Sequence, residues 1–188
     1  MFEESLVKFC SPTLAGIKTG NMFTTKENRA LIEENIRKLN SILTKHGLRL
    51  IPLKSSDRGT LIYLYRPDRL SCDLRSPGAV AILKSKGYPC GNTDKCIMHL
   101  IDNLLGDKDF PHEIGLFLGY PPEDVMGFIN DPCKGVKCIV CWKVYGDVSE
   151  ANKLFDRYRK CEAAYRRQLK CGKSLESLIV DTRCGFGS

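Results

Sequence analysis

His112 and Glu113 stand side by side in the segment FPHEIGLFLGYPPEDVMGFINDPCKGVKCIVCWKVYGD, residues 110–147. An imidazole titrates near neutral pH and a carboxylate accepts protons. The pair are therefore the candidate catalytic groups for general acid–base chemistry. Against that stands their adjacency, because neighbours on a strand face opposite ways. A second set of residues suits the binding of negative charge. Lys18, Thr19, Asn21, Tyr65, Arg66, Arg69, Lys143 and Tyr145 fall at the ends of expected strands or in the turns leaving them. Strand ends and the helix starts that follow them are the usual ligand positions of open α/β sheets. Lys18, Asn21, Arg66, Arg69, Lys143 and Tyr145 are accordingly the candidate ligand-binding residues for a small anion. Ordinary surface polarity is the competing reading of the same set.

Cysteine chemistry offers a third possibility. Cys133, Cys138 and Cys141 make a C-x4-C-x2-C run, and Cys171 lies thirty positions further on. That order matches the ligand spacing of plant-type 2Fe–2S proteins, so these four are the candidate metal ligands, for an iron–sulfur cluster or for zinc. The local sequence argues the other way. CIVCW has the composition of a strand, where residues three apart point to opposite faces, and KCIVCWKV lacks the small residues that a cluster loop wants. On that reading Cys138 and Cys141 are small buried apolar residues, and no cofactor is required.

The elements that must position these groups follow from periodicity and punctuation. Residues 1–10 read as a short helical lead-in broken at Ser11-Pro12. LAGIKTGNMFTT reads as an extended segment. Thr24 and Glu27 suggest a capping box before a helix carrying Leu31, Ile32, Ile36, Leu39, Ile42 and Leu43 at helical spacing, closed by Gly47. LRLIPLKS and TLIYLYR, separated by Ser56-Asp57-Arg58-Gly59, predict a hairpin. Helices are expected from Pro67, from Pro77 to Lys86, and from Thr93 to Gly106. IGLFLG reads as a buried strand, Pro122 as the first residue of a helix, and CIVCWKVYG as a last strand. From Val148 to Leu169, Ala151, Phe155, Tyr158, Tyr165 and Leu169 make an apolar stripe beneath a basic face.

About five strands interleaved with helices predict an α/β or α+β fold. The expectation is a single globular domain over residues 1–173, with a mixed sheet flanked by helices. Residues 174–188 would add a short helix and a flexible tail. A length of 188 residues, 43% of them apolar and 27% charged, is ordinary for such a domain. No window approaches the ~18 apolar residues of a membrane span, and the acidic MFEESLVKFCSP is unlike a secretory leader. A cytoplasmic protein without a membrane partner is therefore expected, its ten cysteines mostly reduced.

The formal net charge is +7, and Lys143–Lys173 holds nine Lys/Arg against four acids. That face suits nucleic acid, an anionic ligand or an acidic partner, or it serves as a plain solvated surface. Glu113–Ile129 also scans as a helix-turn-helix. Its second helix, however, carries Glu123 and Asp124 and no Lys or Arg, and would repel phosphates. No GxSxG, P-loop, HExxH or strand-associated GxGxxG occurs.

CSPTLAGIKTGNMF, LIYLYRPDRL, FPHEIGLFLGYPPEDVMGFI and WKVYGD together resemble an uncharacterised bacterial family, domain of unknown function 3793, met mostly in anaerobic Firmicutes. The resemblance spans nearly the whole chain. It implies a single-domain cytosolic protein from a habitat kind to free thiols, and brings no established activity, cofactor or catalytic residue. Three functions stay open. The leading one is binding, extending to turnover, of a small anion at the strand ends, with Lys18, Arg66 and Arg69 holding charge and His112 and Glu113 reacting. The others are a cysteine-based metal or redox protein, and a regulatory module using the basic C-terminal helix to bind nucleic acid or a protein partner.

Overall fold

Helix α1 (Phe2–Leu14) buries Phe2, Leu6, Val7, Cys10 and Leu14 along one side, the spacing of an amphipathic helix on a sheet. It belongs to a computed structural model that describes residues 2–106 and 109–182. The expected break at Ser11-Pro12 does not occur. Pro12 lies two residues from the helix end, where its missing N–H costs one bond, and the buried face holds the last turn in place. Termination comes at Gly16, which takes a left-handed φ of 74°. Ile17 N and Lys18 N both donate to Pro12 O at 3.0 Å, closing the helix. A side chain at Gly16 would also collide with the Thr182 methyl.

Strand β1 (Gly20–Thr25) follows, then α2 (Arg29–Leu43), β2 (Arg49–Ser56) and β3 (Gly59–Tyr65). The β2–β3 hairpin forms as its sequence predicts, and β1 adds on the other side of β3 to give the order β1-β3-β2. All pairs are antiparallel, with Gly20 and Arg49 both opposite Tyr65. Pro52 is tolerated because β2 is an edge strand, and the register shifts between Pro52 and Lys54. The expected Thr24–Glu27 capping box is replaced by Asn28, whose Oδ1 accepts Leu31 N at 2.9 Å. Thr24 is instead paired in β1 opposite Leu61. A 3-10 turn at Thr44–His46 extends α2 before Gly47 ends it at φ 70°, as the glycine suggested.

The structure divides into two units. The first holds residues up to Asp68 together with those from Tyr158 onward; the second runs from Arg69 to Arg157. In the first unit Leu6, Leu14, Leu39, Leu43, Leu50, Ile62 and Leu64 form a core to which Tyr165 and Leu169 of the last helix, and Leu175 and Leu178 beyond it, add their side chains. Each fully buried Leu contributes roughly 1.5–3 kcal/mol of transfer free energy.

The second unit is helical. It contains most of α3 (Pro67–Leu74), then α4 (Pro77–Ser85), α5 (Thr93–Leu105), α6 (Ile114–Phe117) and α7 (Pro122–Asn130), and a small hairpin of β4 (Cys138–Ile139) and β5 (Lys143–Val144). Helix α8 (Val148–Lys170) begins here and ends in the first unit. Asn92, not Thr93, caps α5, accepting Lys95 N at 2.9 Å.

The fold is therefore mixed α+β, but the expected five-stranded mixed sheet is corrected to a three-stranded antiparallel sheet and a separate two-stranded hairpin. Two segments account for the difference. The IGLF of IGLFLG is the helix α6, all four of whose residues are buried; a short apolar run buried on every side carries no period to separate helix from strand. CIVCWKVYG is not one strand but folds back on itself, pairing Cys138 with Val144 and Ile139 with Lys143. No helix among the described residues is long and apolar enough to cross a membrane.

Candidate functional site

The chemistry-bearing segment 110–147 lies wholly within the second unit, where it builds a groove. Asp124, in the first turn of α7, is only 3% exposed and organises one wall. Its Oδ2 accepts the indole Nε1–H of Trp142 at 2.7 Å, and its Oδ1 accepts Tyr145 N at 2.7 Å and Gly146 N at 2.8 Å. These three bonds draw the chain after α7 back towards the helix, which is why CIVCWKVYG turns at Val140-Cys141-Trp142 instead of running straight. Val140 N closes that turn on Trp142 O at 3.0 Å. Trp142, thus held, stacks on Tyr120 with ring centroids 4.8 Å apart. Gly127 lets the Tyr145 ring lie directly against α7, in the space a side chain would fill.

Further aromatic side chains line the same cavity. The imidazole of His112 meets the ring of Phe128 edge-on at 5.0 Å and lies 6.0 Å from Phe110. Lys143 Nζ sits 5.6 Å from the Phe128 centroid, a cation–π contact, and donates to Pro132 O at 2.8 Å. The cavity that these side chains line is about 510 Å3 and mostly apolar, with His112, Lys143 and Cys141 among the groups able to do chemistry at its surface. Asp124 also borders it, but both its oxygens are engaged by the hydrogen bonds above.

His112 and Glu113 differ in burial and in partners, though both line one cleft. His112 is exposed, whereas Glu113 is 4% exposed and accepts the Tyr88 phenol at 2.8 Å. Burial, followed by the nearby Glu113 charge, raises the Tyr88 pKa and keeps the phenol a proton donor. Asn103 Nδ2 donates to the same phenol oxygen at 3.4 Å. Glu113 thus borders a second, more polar cleft of about 860 Å3, which His112 and Phe110 share with the groove.

The candidate anion-binding residues separate between the two units. Lys143 is on the groove; Tyr145 packs on Gly127 and donates its hydroxyl to Asp131 O at 3.2 Å; Arg69 is exposed on α3. Lys18, Asn21 and Arg66 are in the first unit. Arg66, 2% exposed, donates Nε–H to Thr13 O and Nη2–H to Leu14 O, both at 2.8 Å, satisfying carbonyls at the end of α1. Its remaining donors reach Val180 O at 2.7 Å, Thr182 Oγ1 at 2.7 Å and His46 O at 3.4 Å. All five N–H groups of the guanidinium are thus directed at protein atoms. Asn21 joins the same cluster, its Oδ1 accepting the Thr13 hydroxyl at 2.7 Å. Lys18 is 5% exposed and lies 5.5 Å from the Tyr158 ring.

The cysteines are dispersed. Cys133 and Cys141 are exposed in the loop and the hairpin turn, Cys138 is half-buried in β4, and Cys171 belongs to the first unit. Among the described residues no group of three or more His, Cys, Asp or Glu side chains is placed to hold a metal ion. Cys184 lies outside the described residues. The scanned helix-turn-helix does contain two helices, but α6 is a single turn and Asp124 of α7 faces inward.

Sequence reasoning had no way to name Tyr120, Phe128 and Trp142 as the walls of one groove. The available signal was the crowding of aromatic side chains, including the only tryptophan, into residues 110–145. Neither a curated protein nor a solved structure matches the chain. One family model does, over residues 6–179, and the chain therefore belongs to the family described as protein of unknown function (DUF3793).

Proposed function

We propose that the second unit binds a small organic anion with an aromatic or acyl body in the groove between Trp142 and Phe128. The observation that carries this reading is the 510 Å3 cavity, lined by Tyr120, Phe128 and Trp142 together with Lys143. Small-molecule sites are typically ~300–1,000 Å3, mostly apolar, with a few polar groups that set orientation. Lys143 spends one N–H on Pro132 O, and an ammonium has three, so two are free to meet a carboxylate or sulfonate. His112, on the same rim and exposed, is the group able to move a proton to or from the bound molecule. Exposed Phe110 and Ile139 at the mouth offer further apolar surface to a ligand.

The test uses Trp142 emission, since the chain has one tryptophan and it lines the cavity. Phenylacetate and 8-anilinonaphthalene-1-sulfonate are titrated beside the neutral amide of phenylacetate. The expected result is saturable quenching by the anions, weaker quenching by the amide, and a loss of about five- to tenfold in affinity in Lys143→Gln, worth ~1–1.4 kcal/mol. Equal binding of acid and amide, with Lys143→Gln unchanged, would remove the anion from the proposal. No response to any probe would remove the groove.

A further inference from the structure

The C-terminal part of α8 and the turn after it, all in the first unit, present a second surface with a chemistry of its own. Arg159, Lys160, Arg166, Arg167, Lys170 and Lys173 are exposed there, and the one acid between residues 159 and 173, Glu162, is half-buried. At 100° per residue Arg159, Arg166 and Lys170 form one row along the helix, while Lys160 and Arg167 form a second beside it. Arg159 to Lys170 is a rise of roughly 17 Å. The other side of the helix is already occupied: Tyr158 is buried, and Tyr165 and Leu169 pack against the core of the first unit.

We propose that this face docks on the phosphate backbone of a double-stranded nucleic acid, without reading its sequence. Exposed Lys160, Arg166, Arg167 and Lys170 repel one another within about two Debye lengths, and a polyanion relieves that repulsion while releasing its own counterions. Two of them are arginines, whose planar fork matches phosphate oxygens. The shape of the surface selects among polyanions. Helices that lie on anionic lipid bury an apolar face in the bilayer, and here that face is packed inside the protein. Single strands are held largely by bases stacking on aromatic rings, and the exposed residues of this stretch include no aromatic side chain. A duplex asks only for rows of cations. These residues are separate from those of the groove, so the two proposals stand or fall independently.

The experiment is fluorescence anisotropy of the full chain with a labelled duplex of about 24 base pairs, titrated from about 20 to 300 mM KCl. If four phosphates are neutralised, log K falls with log salt at a slope of about −3 to −4, equally for unrelated sequences. Arg166→Gln/Arg167→Gln/Lys170→Gln should flatten the slope by about 2–3 and weaken low-salt binding more than tenfold. The comparison variant is Arg37→Gln/Lys38→Gln/Lys45→Gln, which removes the same charge from exposed positions on α2 and the turn after it. It should bind nearly as the parent does. Every substituted side chain is exposed, and far-ultraviolet circular dichroism verifies that both variants fold. The proposal is overturned if no duplex binds at low salt, or if the two variants lose affinity equally. It is also overturned if phosphatidylglycerol vesicles bind while the duplex does not.

Discussion

Replacing Asp124 tests the account of how the groove is built. The carboxylate is 3% exposed and accepts three hydrogen bonds, from Trp142 Nε1, Tyr145 N and Gly146 N. Hydrogen bonds to a charged group contribute about 1.5–3 kcal/mol each, and a buried donor left without a partner costs about 1–3 kcal/mol. The indole N–H is buried and water cannot replace its partner. The two backbone amides are half-buried and water recovers part of their loss. We predict that Asp124→Ala destabilises the fold by about 3–5 kcal/mol, the sum of one full and two partial losses. Asp124→Asn should cost less, about 2 kcal/mol, because its amide oxygen still serves one side while its NH2 meets a donor on the other. With a urea m-value of about 1–3 kcal/mol per molar, the alanine variant should lower the unfolding midpoint by 1 M or more. Urea titration followed by Trp142 emission reads both effects, because the indole is itself one of the donors. Its native emission should shift to the red in the alanine variant as the ring loses its anchor. A loss below ~0.5 kcal/mol with unchanged emission would show that these bonds do not hold the hairpin against α7.

Three further outcomes follow from the same geometry. Arg66→Lys keeps the charge but replaces five directed N–H groups with three on one atom, leaving carbonyls at the end of α1 unmet; we expect a loss of about 2–4 kcal/mol by denaturant titration, and no loss would mean that the clamp is not needed. Thiol labelling mapped by peptide mass spectrometry at neutral pH should modify Cys72, Cys133, Cys141 and Cys171 first, since they are exposed. Cys161 should react slowly, its thiol pushed up to about 11 by burial and the adjacent Glu162, and Cys10 more slowly still. Rapid labelling of Cys10 in folded protein would contradict its burial. Asp131 accepts Cys133 N at 2.8 Å and Lys134 N at 3.0 Å, which lowers its pKa below the ordinary carboxylate value of 3.8. A depressed folded pKa contributes stability that is fully present above the unfolded value and lost as pH falls through the folded one. The amide resonances of Cys133 and Lys134 should therefore titrate together with a midpoint below 3.8, and a midpoint above it would reverse the argument.

The elements that were legible in the chain are those whose signals are local. The amphipathic period of α2 and α8, the prolines that open α3, α4 and α7, and the Asp-Arg-Gly turn between β2 and β3 each specify an element through residues a few positions apart. Family membership was likewise legible in four short phrases. IGLFLG and CIVCWKVYG were not, for a physical reason. A segment buried on all sides loses the polar face that reveals its period, and a turn imposed by a carboxylate eighteen positions away leaves no mark on the turning residues themselves. The same distance in sequence hid the roles of the polar groups. Arg66 looked like an anion-binding side chain because guanidinium chemistry is the same whether the acceptor is a ligand oxygen or a helix-terminal carbonyl. Only the tertiary structure, by bringing Thr13, Leu14, His46 and Val180 around it, decided that its donors meet the backbone. Residue types and short spacings determined which groups are capable of chemistry; the long-range contacts decided which of them are buried on the protein's own atoms and which are exposed.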